Sequence, residues 1–269
     1  MSNKAPIGVF DSGVGGLTVV KEIMNQLPGE TIIYFGDTAR VPYGNKSKET
    51  VITYTRQIVR FLMEKRVKAL VIACNTISAL ALETVKAEID VPVIGVVKPG
   101  AKVAAETTKN YKIGVIGTEA TIRSGIYNEF LSQTNPQIKV FGKACPLFVP
   151  LVEEGLIEDP VTMEMARRYI GELMENDIDT LVLGCTHYPL LRKTIRKIVG
   201  DRIELVNPAY ETAKSLNEVL LEKDIKNDDT LKTDHKFYVS DGAEKFKEFA
   251  NSILPCEVVE TKDVNIENY

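Results

Sequence analysis

The sequence has 269 residues, of which 44% are hydrophobic and 26% are charged, and its formal net charge is −4. These values are typical of a soluble globular protein with one large domain or two ordinary ones. The acidic balance lacks the basic footprint of a nucleic-acid-binding protein. The most apolar stretch, residues 69–82, is too short to span a bilayer, and the first ten residues lack the apolar core of a signal peptide. We therefore expect a cytoplasmic protein without nucleic-acid or membrane partners.

Short apolar runs alternate with helical patterns over the first part of the chain. Residues 7–13 are predicted to be a strand that runs into a Gly-rich turn. Further strands are predicted at residues 31–37, 69–73 and 91–97, and helices at residues 17–27, 47–65 and 76–89. The second helix carries apolar residues at helical spacing, and Ser47 is in position to cap it. Continuous Val- and Ile-rich strands between helices are typical of a parallel sheet covered on both faces.

The same pattern then begins again. Residues 99–108 read as a helix, 112–131 as a strand, a turn and a helix, 138–145 as a strand, 161–176 as a helix, 178–185 as a strand and 187–200 as a helix, and 203–208 closes this block. A final segment contains a helix at 209–222, a charged loop at 223–235, a strand at 236–241, a helix at 243–252 and the stretch 256–261. The chain thus consists of two similar blocks and an appended segment.

The spacing of matching features predicts two lobes of like design. Ile7 and Ile113, which begin matching strands, lie 106 residues apart, and Cys74 and Cys185, which follow later strands, lie 111 apart. The predicted fold class is α/β, with two pseudo-symmetric lobes, each a mostly parallel sheet flanked by helices. We expect residues 1–97 plus 208–269 to form the first lobe and residues 98–207 the second. Ligands bind at the carboxyl ends of parallel strands, so the site is expected in the cleft between the lobes.

The turn after the first strand, "DSGVGGLTV" at residues 11–19, does not match a nucleotide-binding loop. It lacks the G-K-[ST] of the P-loop and the spacing of the dinucleotide fingerprint. A turn at a helix N-terminus still offers backbone N–H groups to an anion such as a carboxylate. Asp11 and Ser12 are therefore candidate site residues, and the alternative is that one of them caps the following helix.

The four cysteines do not form a C-x-x-C pair, and disulfides are not expected in a cytoplasmic chain of this size. Cys145 and Cys256 are interpreted as small buried hydrophobic residues. Cys185 and His187 are too close in sequence to complete a tetrahedral zinc site, but a nucleophilic Cys–His dyad and a simple packing role for the histidine remain open. The second histidine, His235, lies in the charged loop and is expected to be solvated.

Two cysteines that face each other across a cleft suit one reaction above others, the removal of a proton from one face of a carbon and its return to the other. One must be a thiolate and the other a thiol. A free cysteine, with a pKa of about 8.5, is only a few per cent thiolate at neutral pH. Cys74 and Cys185 are each predicted to open a helix, and we expect the helix N-termini and nearby donors to lower their pKa values.

Four motifs, "FDSGVGGLTV", "VPYGNKS", "ACNT" and "LGCTHYPLL", together resemble the aspartate/glutamate racemase family, in particular its bacterial glutamate racemases. The resemblance covers residues 7 to about 220, with the motifs in the family's order. It implies two α/β lobes with the active site between them, racemisation of glutamate without a cofactor or metal, and a homodimer. The product would be D-glutamate, which bacteria use in peptidoglycan of the cell wall.

The resemblance also implies roles for individual residues. Cys74 and Cys185 are the proton donors and acceptors, one for each face of the substrate. Asp11 assists Cys74, His187 assists Cys185, and Glu153 is the acidic partner of His187. Contacts to the substrate are expected from Asp11, Ser12, Tyr43, Gly44, Asn75, Thr76, Thr118, Thr121, Thr186 and His187.

Other functions remain as alternatives. The nearest is another racemase of the same superfamily, such as an aspartate racemase, since one methylene is worth only about 1–3 kcal/mol in a pocket. The second cysteine argues against the single-cysteine decarboxylases that resemble this family. A two-lobed binding protein needs no acid or base, and a cysteine hydrolase with a covalent intermediate needs only one of the two cysteines.

Overall fold

Two separate parallel sheets organise the structure, a computed structural model that describes residues 2–229 and 233–269. The described residues form ten strands: β1 (Ile7–Asp11), β2 (Ile32–Gly36), β3 (Ala69–Ile72), β4 (Val93–Gly95), β5 (Lys112–Gly117), β6 (Lys139–Ala144), β7 (Thr180–Gly184), β8 (Glu204–Val206), β9 (Lys236–Val239) and β10 (Thr261–Asp263). Residues 230–232 of the predicted charged loop lie outside the described residues.

Helices connect the strands of both sheets. They are α1 (Leu17–Gln26), α2 (Lys48–Glu64), α3 (Asn75–Glu88), α4 (Val97–Thr107), α5 (Glu119–Arg123), α6 (Ile126–Thr134), α7 (Phe148–Glu153), α8 (Pro160–Met174), α9 (Arg192–Val199), α10 (Pro208–Glu222) and α11 (Ala243–Ile253). In the described part of the chain, no helix is both long enough and apolar enough to cross a membrane.

The strand orders show the repeat that the sequence spacing predicts. The first sheet has the order β10-β9-β2-β1-β3-β4 and the second has β6-β5-β7-β8, and every paired strand is parallel to its neighbour. The run β2-β1-β3-β4 therefore has the same topology as β6-β5-β7-β8. The predicted α/β fold with two lobes is confirmed.

The burial of the strands explains why they read as continuous apolar runs. β1, β2, β3 and β7 are buried along their whole length. Neighbouring residues of β1 belong to different cores, since Val9 packs on one face of the first sheet with α1 and α10, and Phe10 packs on the other face with α2 and α3. Helices cover both faces, which makes a parallel sheet stable in water.

Several helix boundaries differ from the predictions. The predicted helix within 112–131 is two helices, α5 and α6, because Gly125 between them adopts a left-handed conformation with φ +69°. The predicted helix at 187–200 begins as a 3₁₀ helix, Tyr188–Leu191, before α9. The short helix α7 was not predicted at all, since prolines flank and interrupt its sequence. Ser47 does cap α2, and its side chain accepts a hydrogen bond from Thr50 N at 3.2 Å.

We propose that the lobes divide the chain as the sequence predicts, at about residues 97 and 208. Strands before β5 and after β8 belong to the first sheet, which supports this division. α4 packs against β7, β8 and α6, whereas α10 packs against α1 and also against α4. The two helices thus lie where the lobes meet.

Candidate active site

A cavity of about 490 Å³ lies between the lobes, at the carboxyl ends of strands from both sheets. The first lobe lines it with Ser12, Val41, Pro42, Tyr43, Gly44, Asn45, Cys74, Asn75 and Thr76. The second lobe lines it with Thr118, Glu119, Pro146, Val149, Pro150, Glu153, Cys185, Thr186 and His187. Cysteines from different lobes therefore line one space.

Cys74 is the N-cap residue of α3, two residues after β3 ends, and its side chain is buried. Its Sγ lies 3.5 Å from Ser12 Oγ. Burial, and then the negative charge of Asp11, raises the pKa of the Cys74 thiol to about 12. The expectation that a helix N-terminus lowers this pKa is wrong, because the Ile77 N–H that faces the sulfur does not outweigh desolvation and the nearby carboxylate.

Asp11 ends β1 and lies behind the cavity wall, where its side chain is fully buried. Its Oδ2 accepts a hydrogen bond from Gly13 N at 3.1 Å, and its Oδ1 lies 3.4 Å from Thr186 Oγ1 of the other lobe. Burial raises the pKa of this carboxyl, and the charge of His187 opposes that effect only in part. Neither Asp11 nor Ser12 is the N-cap of α1; that residue is Gly16, which has no side-chain cap.

Cys185 follows β7 directly and is part of a chain of three ionisable groups. Its Sγ lies 3.8 Å from His187 Nδ1, and His187 Nε2 lies 3.0 Å from Glu153 Oε1. Burial alone would lower the pKa of His187, but the hydrogen bonds with Cys185 and Glu153 raise it to about 10. These partners therefore favour the protonated form of the imidazole. Cys185 does not open an α-helix, contrary to the prediction, since the 3₁₀ turn begins three residues later.

Three threonine hydroxyls form a cluster on another side of the cavity. Thr76 Oγ1 lies 2.9 Å from Thr118 Oγ1 and 3.4 Å from Thr121 Oγ1, and the last two oxygens are 3.0 Å apart. Thr76 comes from the first lobe and the other two from the second. Thr121 is buried behind Thr118 and does not line the cavity.

The loop that contains Tyr43 and Gly44 closes the cavity from the first lobe. The Tyr43 phenol donates a hydrogen bond to Asp37, and the carbonyl oxygen of Gly44 accepts one from Ala120 N of the second lobe at 2.9 Å. A Cβ atom on Gly44 would lie 2.7 Å from Thr118 Cβ. This position needs glycine because the two lobes approach closely there.

The predicted site residues come together at one place. Eleven of the thirteen line the cavity, and Asp11 and Thr121 lie directly behind it. The sequence reasoning missed Val41, Pro42, Asn45, Glu119, Pro146, Val149 and Pro150. The first three belong to the "VPYGNKS" motif, so their place in it was an available signal, whereas no pattern marked the residues of and around α7.

The other singled-out residues lie away from the cavity. Cys145 is fully buried, as predicted, and Cys256 is half-buried. The prediction that His235 is solvated is wrong: it is half-buried, and its Nδ1 accepts a hydrogen bond from Ile32 N at 3.2 Å. The pairing of β9 with β2 brings it there. Within residues 2–229 and 233–269, no three His, Cys, Asp or Glu side chains are grouped so as to hold a metal ion.

Two buried thiols in one cleft, each beside an ionisable group, form an arrangement suited to acid–base chemistry. The chain matches the model of the Asp/Glu/Hydantoin racemase family over residues 7–216. It is 48% identical over 261 residues to a glutamate racemase of Geobacter metallireducens, covering 97% of each chain.

Solved structures of similar proteins agree with this match. Glutamate racemase RacE1 of Bacillus anthracis superimposes with a TM-score of 0.94 at 40% identity, covering 97% of this chain and 98% of that one. Glutamate racemase of Francisella tularensis, in complex with D-glutamate, superimposes with a TM-score of 0.92 at 39% identity, covering 99% and 100%. The chain therefore belongs to the Asp/Glu/Hydantoin racemase family, and it is an isomerase.

Proposed function

We propose that this chain interconverts L-glutamate and D-glutamate by two-base proton transfer at Cα, without a cofactor. The observation that carries the proposal is that Cys74 and Cys185, which follow equivalent strands of the two lobes, line the same cavity. Binding alone requires no such pair of thiols, and a covalent hydrolase requires one.

In the proposed step, one sulfur takes up a proton and the other sulfur releases one. A thiolate takes the Cα proton, so that an S–H bond forms, the C–H bond breaks and the electron pair is delocalised into the α-carboxylate. The opposite thiol then gives its proton to the other face of Cα, so that its S–H bond breaks and a new C–H bond forms. Each turnover exchanges the roles of Cys74 and Cys185.

The surroundings of the two sulfurs support an unequal resting state. The high pKa of Cys74 keeps it a thiol, ready to donate a proton. We propose that Cys185 is the base in the resting enzyme, because the protonated imidazole of His187 lies beside its sulfur. Asp11, on the Cys74 side, would pair with the ammonium group of the substrate. That positive charge would also favour the thiolate of Cys74 when the reaction runs in the other direction.

The assignment of glutamate as the substrate has its support in the relatives. The similar proteins of Geobacter metallireducens, Bacillus anthracis and Francisella tularensis all have the name glutamate racemase, and the last was solved with D-glutamate. The proposed roles of the threonine cluster, Ser12, Asn75 and the Tyr43–Gly44 loop are to hold the two carboxylates. The proposed product, D-glutamate, would supply peptidoglycan synthesis. A homodimer in the cytoplasm remains part of the proposal, and sedimentation would test the dimer.

The experiment that tests the proposal uses the purified, reduced protein with L-glutamate in D2O, and L-aspartate in parallel. We expect loss of optical rotation together with entry of deuterium at Cα of glutamate, with no cofactor added. Rotation loss with aspartate alone would name the other substrate. If folded protein with free thiols gives neither loss of optical rotation nor deuterium at Cα with either amino acid, the racemase proposal is wrong. The binding-protein and hydrolase functions then remain.

Variants of the cysteines test the two-base mechanism. We expect Cys74→Ser and Cys185→Ser each to lower kcat for racemisation by about 10²–10⁴, the usual contribution of a positioned acid or base. Cys256→Ser is the matched control, since this half-buried cysteine lies outside the cavity. Full racemase activity in either of the first two variants would contradict the mechanism.

A further inference from the structure

A tyrosine outside the cavity lining is hydrogen-bonded to a residue that lines it. Tyr127 belongs to α6 of the second lobe, and its phenol oxygen donates a hydrogen bond to Asn75 Oδ1 at 2.8 Å. Asn75 is the first residue of α3 in the first lobe and follows Cys74 directly. The bond therefore crosses between the lobes and ends one residue from a candidate catalytic cysteine.

The orientation of the Asn75 amide decides what it presents to the cavity. An asparagine side chain has one face that accepts hydrogen bonds and one that donates them. Because Oδ1 is held by Tyr127, the NH2 group remains for the cavity, and among the described residues it has no hydrogen-bond acceptor of its own. A carboxylate accepts hydrogen bonds only, so this orientation attracts it and the flipped one would repel it.

Tyr127 is well suited to fix this orientation. Its ring is 4% exposed and packs in the core of the second lobe with Val97, Val115 and Val182. A Cβ on Gly184 would lie 3.3 Å from its Cε2, so the ring also rests on the backbone at the end of β7. Burial raises the pKa of the phenol, so it keeps its proton, and among the described residues Asn75 Oδ1 is the acceptor for that proton. A flipped amide would leave the buried O–H without an acceptor, which is costly.

We infer that Tyr127 is a positioning residue for the racemase reaction, which locks the Asn75 amide so that its NH2 group meets a carboxylate of the bound amino acid. The inference rests on the proposed function, and it adds a residue from outside the cavity wall to the substrate site. It assigns Tyr127 an effect on substrate binding through Asn75, rather than on the proton transfers at the two thiols.

The test is a double-variant cycle with Tyr127→Phe and Asn75→Ala, read as kcat and KM for glutamate and as Kd for D-glutamate by calorimetry. Tyr127→Phe keeps the ring and removes the hydroxyl, and we expect KM and Kd to rise about five- to tenfold, with kcat within about twofold. In the Asn75→Ala background, the same change should raise them no further, because the group through which it acts is gone.

Tyr188→Phe is the matched control. It also removes the hydroxyl of a buried tyrosine in the second lobe. That hydroxyl donates a hydrogen bond to the Cys145 carbonyl oxygen at 2.9 Å, and neither residue lines the cavity. We expect KM to stay unchanged in this variant, and thermal unfolding will show whether both variants are folded.

Three results would overturn the inference. One is an unchanged KM and Kd in folded Tyr127→Phe. The second is an equal effect of Tyr127→Phe with and without Asn75, which indicates a general structural role. The third is a loss confined to kcat, which points to an action on the nearby Cys185. If the wild type binds D-glutamate but does not racemise it, the proposed function is contradicted, and the Kd values of the variants still test the role of Tyr127. If the wild type neither binds nor racemises D-glutamate, both the proposed function and the inference about Tyr127 are overturned.

Discussion

At the scale of single residues, the proton on His187 makes the stability of the fold depend on pH. The imidazole is buried between Cys185 and Glu153, and its pKa of about 10 lies well above the ordinary value. The folded protein thus binds this proton more tightly than the unfolded chain does. Such a group stabilises the fold fully below its ordinary pKa, and this stabilisation is lost as the pH rises through the folded pKa.

A pH series of urea unfolding for the wild type and His187→Gln tests this charge. The difference in the free energy of unfolding should be largest below about pH 6.5 and should shrink as the pH rises towards 10. His235→Gln serves as a comparison with a shift of the opposite sign, because burial lowers the pKa of His235. The difference in the free energy of unfolding between this variant and the wild type should change only below the ordinary histidine pKa of about 6.5. If the difference in the free energy of unfolding between the wild type and His187→Gln stays constant from pH 6 to pH 10, the raised pKa of His187 is contradicted.

At the scale of elements, a buried ion pair ties three segments to the start of β3. Lys68 Nζ lies 2.6 Å from Glu30 Oε2 and donates hydrogen bonds to the carbonyl oxygens of Asn3 and Ile225. Both charged side chains are almost fully buried. The pair thus joins the N-terminal segment, the turn before β2 and the chain after α10.

Removing one partner of this pair should be costly. Lys68→Met leaves the Glu30 carboxylate buried without its cation, and we expect a loss of about 3–5 kcal/mol in the free energy of unfolding. The double variant Lys68→Met/Glu30→Gln should lose less, since no unpaired charge remains. Urea unfolding measures both, and an equal loss in the single and double variants would show that the charge is not what matters.

The elements also show what sequence patterns predict and what they miss. Strands such as β3 and β7 were found because their apolar runs are local, and Cys74 and Cys185 were found because they follow those runs. The ion pair of Lys68 was not predicted, since nothing near it in sequence shows that Glu30 and two carbonyl groups surround it. Likewise, the contribution of α7 to the cavity depends on contacts between distant parts of the chain, and its prolines hid the helix itself.

At the scale of the whole molecule, the lobes touch where only glycine fits. Gly15, in the turn before α1, lies against the second lobe, and a Cβ there would be 2.4 Å from both Thr186 Oγ1 and His187 Nδ1. No side chain fits at such distances, so either the two lobes or the imidazole must move to admit one. The geometry between Cys185 and His187 therefore depends on a residue of the other lobe.

We expect Gly15→Ala to lower kcat/KM for glutamate by about 10²-fold, because in the proposed function Cys185 is a base, and a displacement of about 1 Å at a reacting group has an effect of this size. Gly171→Ala in α8 is the control, since its Cβ would meet nothing within 4 Å. An alanine in a helix is favourable, so this variant should keep full activity and be as stable or slightly more so. A wild-type kcat/KM in Gly15→Ala would contradict this expectation, because it would show that the contact between the lobes at Gly15 admits a Cβ without disturbing Cys185 and His187.

The path of the chain between the lobes has a mechanical consequence. It leaves the first sheet after β4, enters the second at β5, and returns after β8. These two crossings touch, because a Cβ on Gly100 in α4 would lie 2.8 Å from Pro208 Cγ at the start of α10. Two connections that lie side by side restrict the movement of one lobe relative to the other more than a single connection would. The two crossings therefore help to fix the position of Cys74 in the first lobe relative to Cys185 in the second.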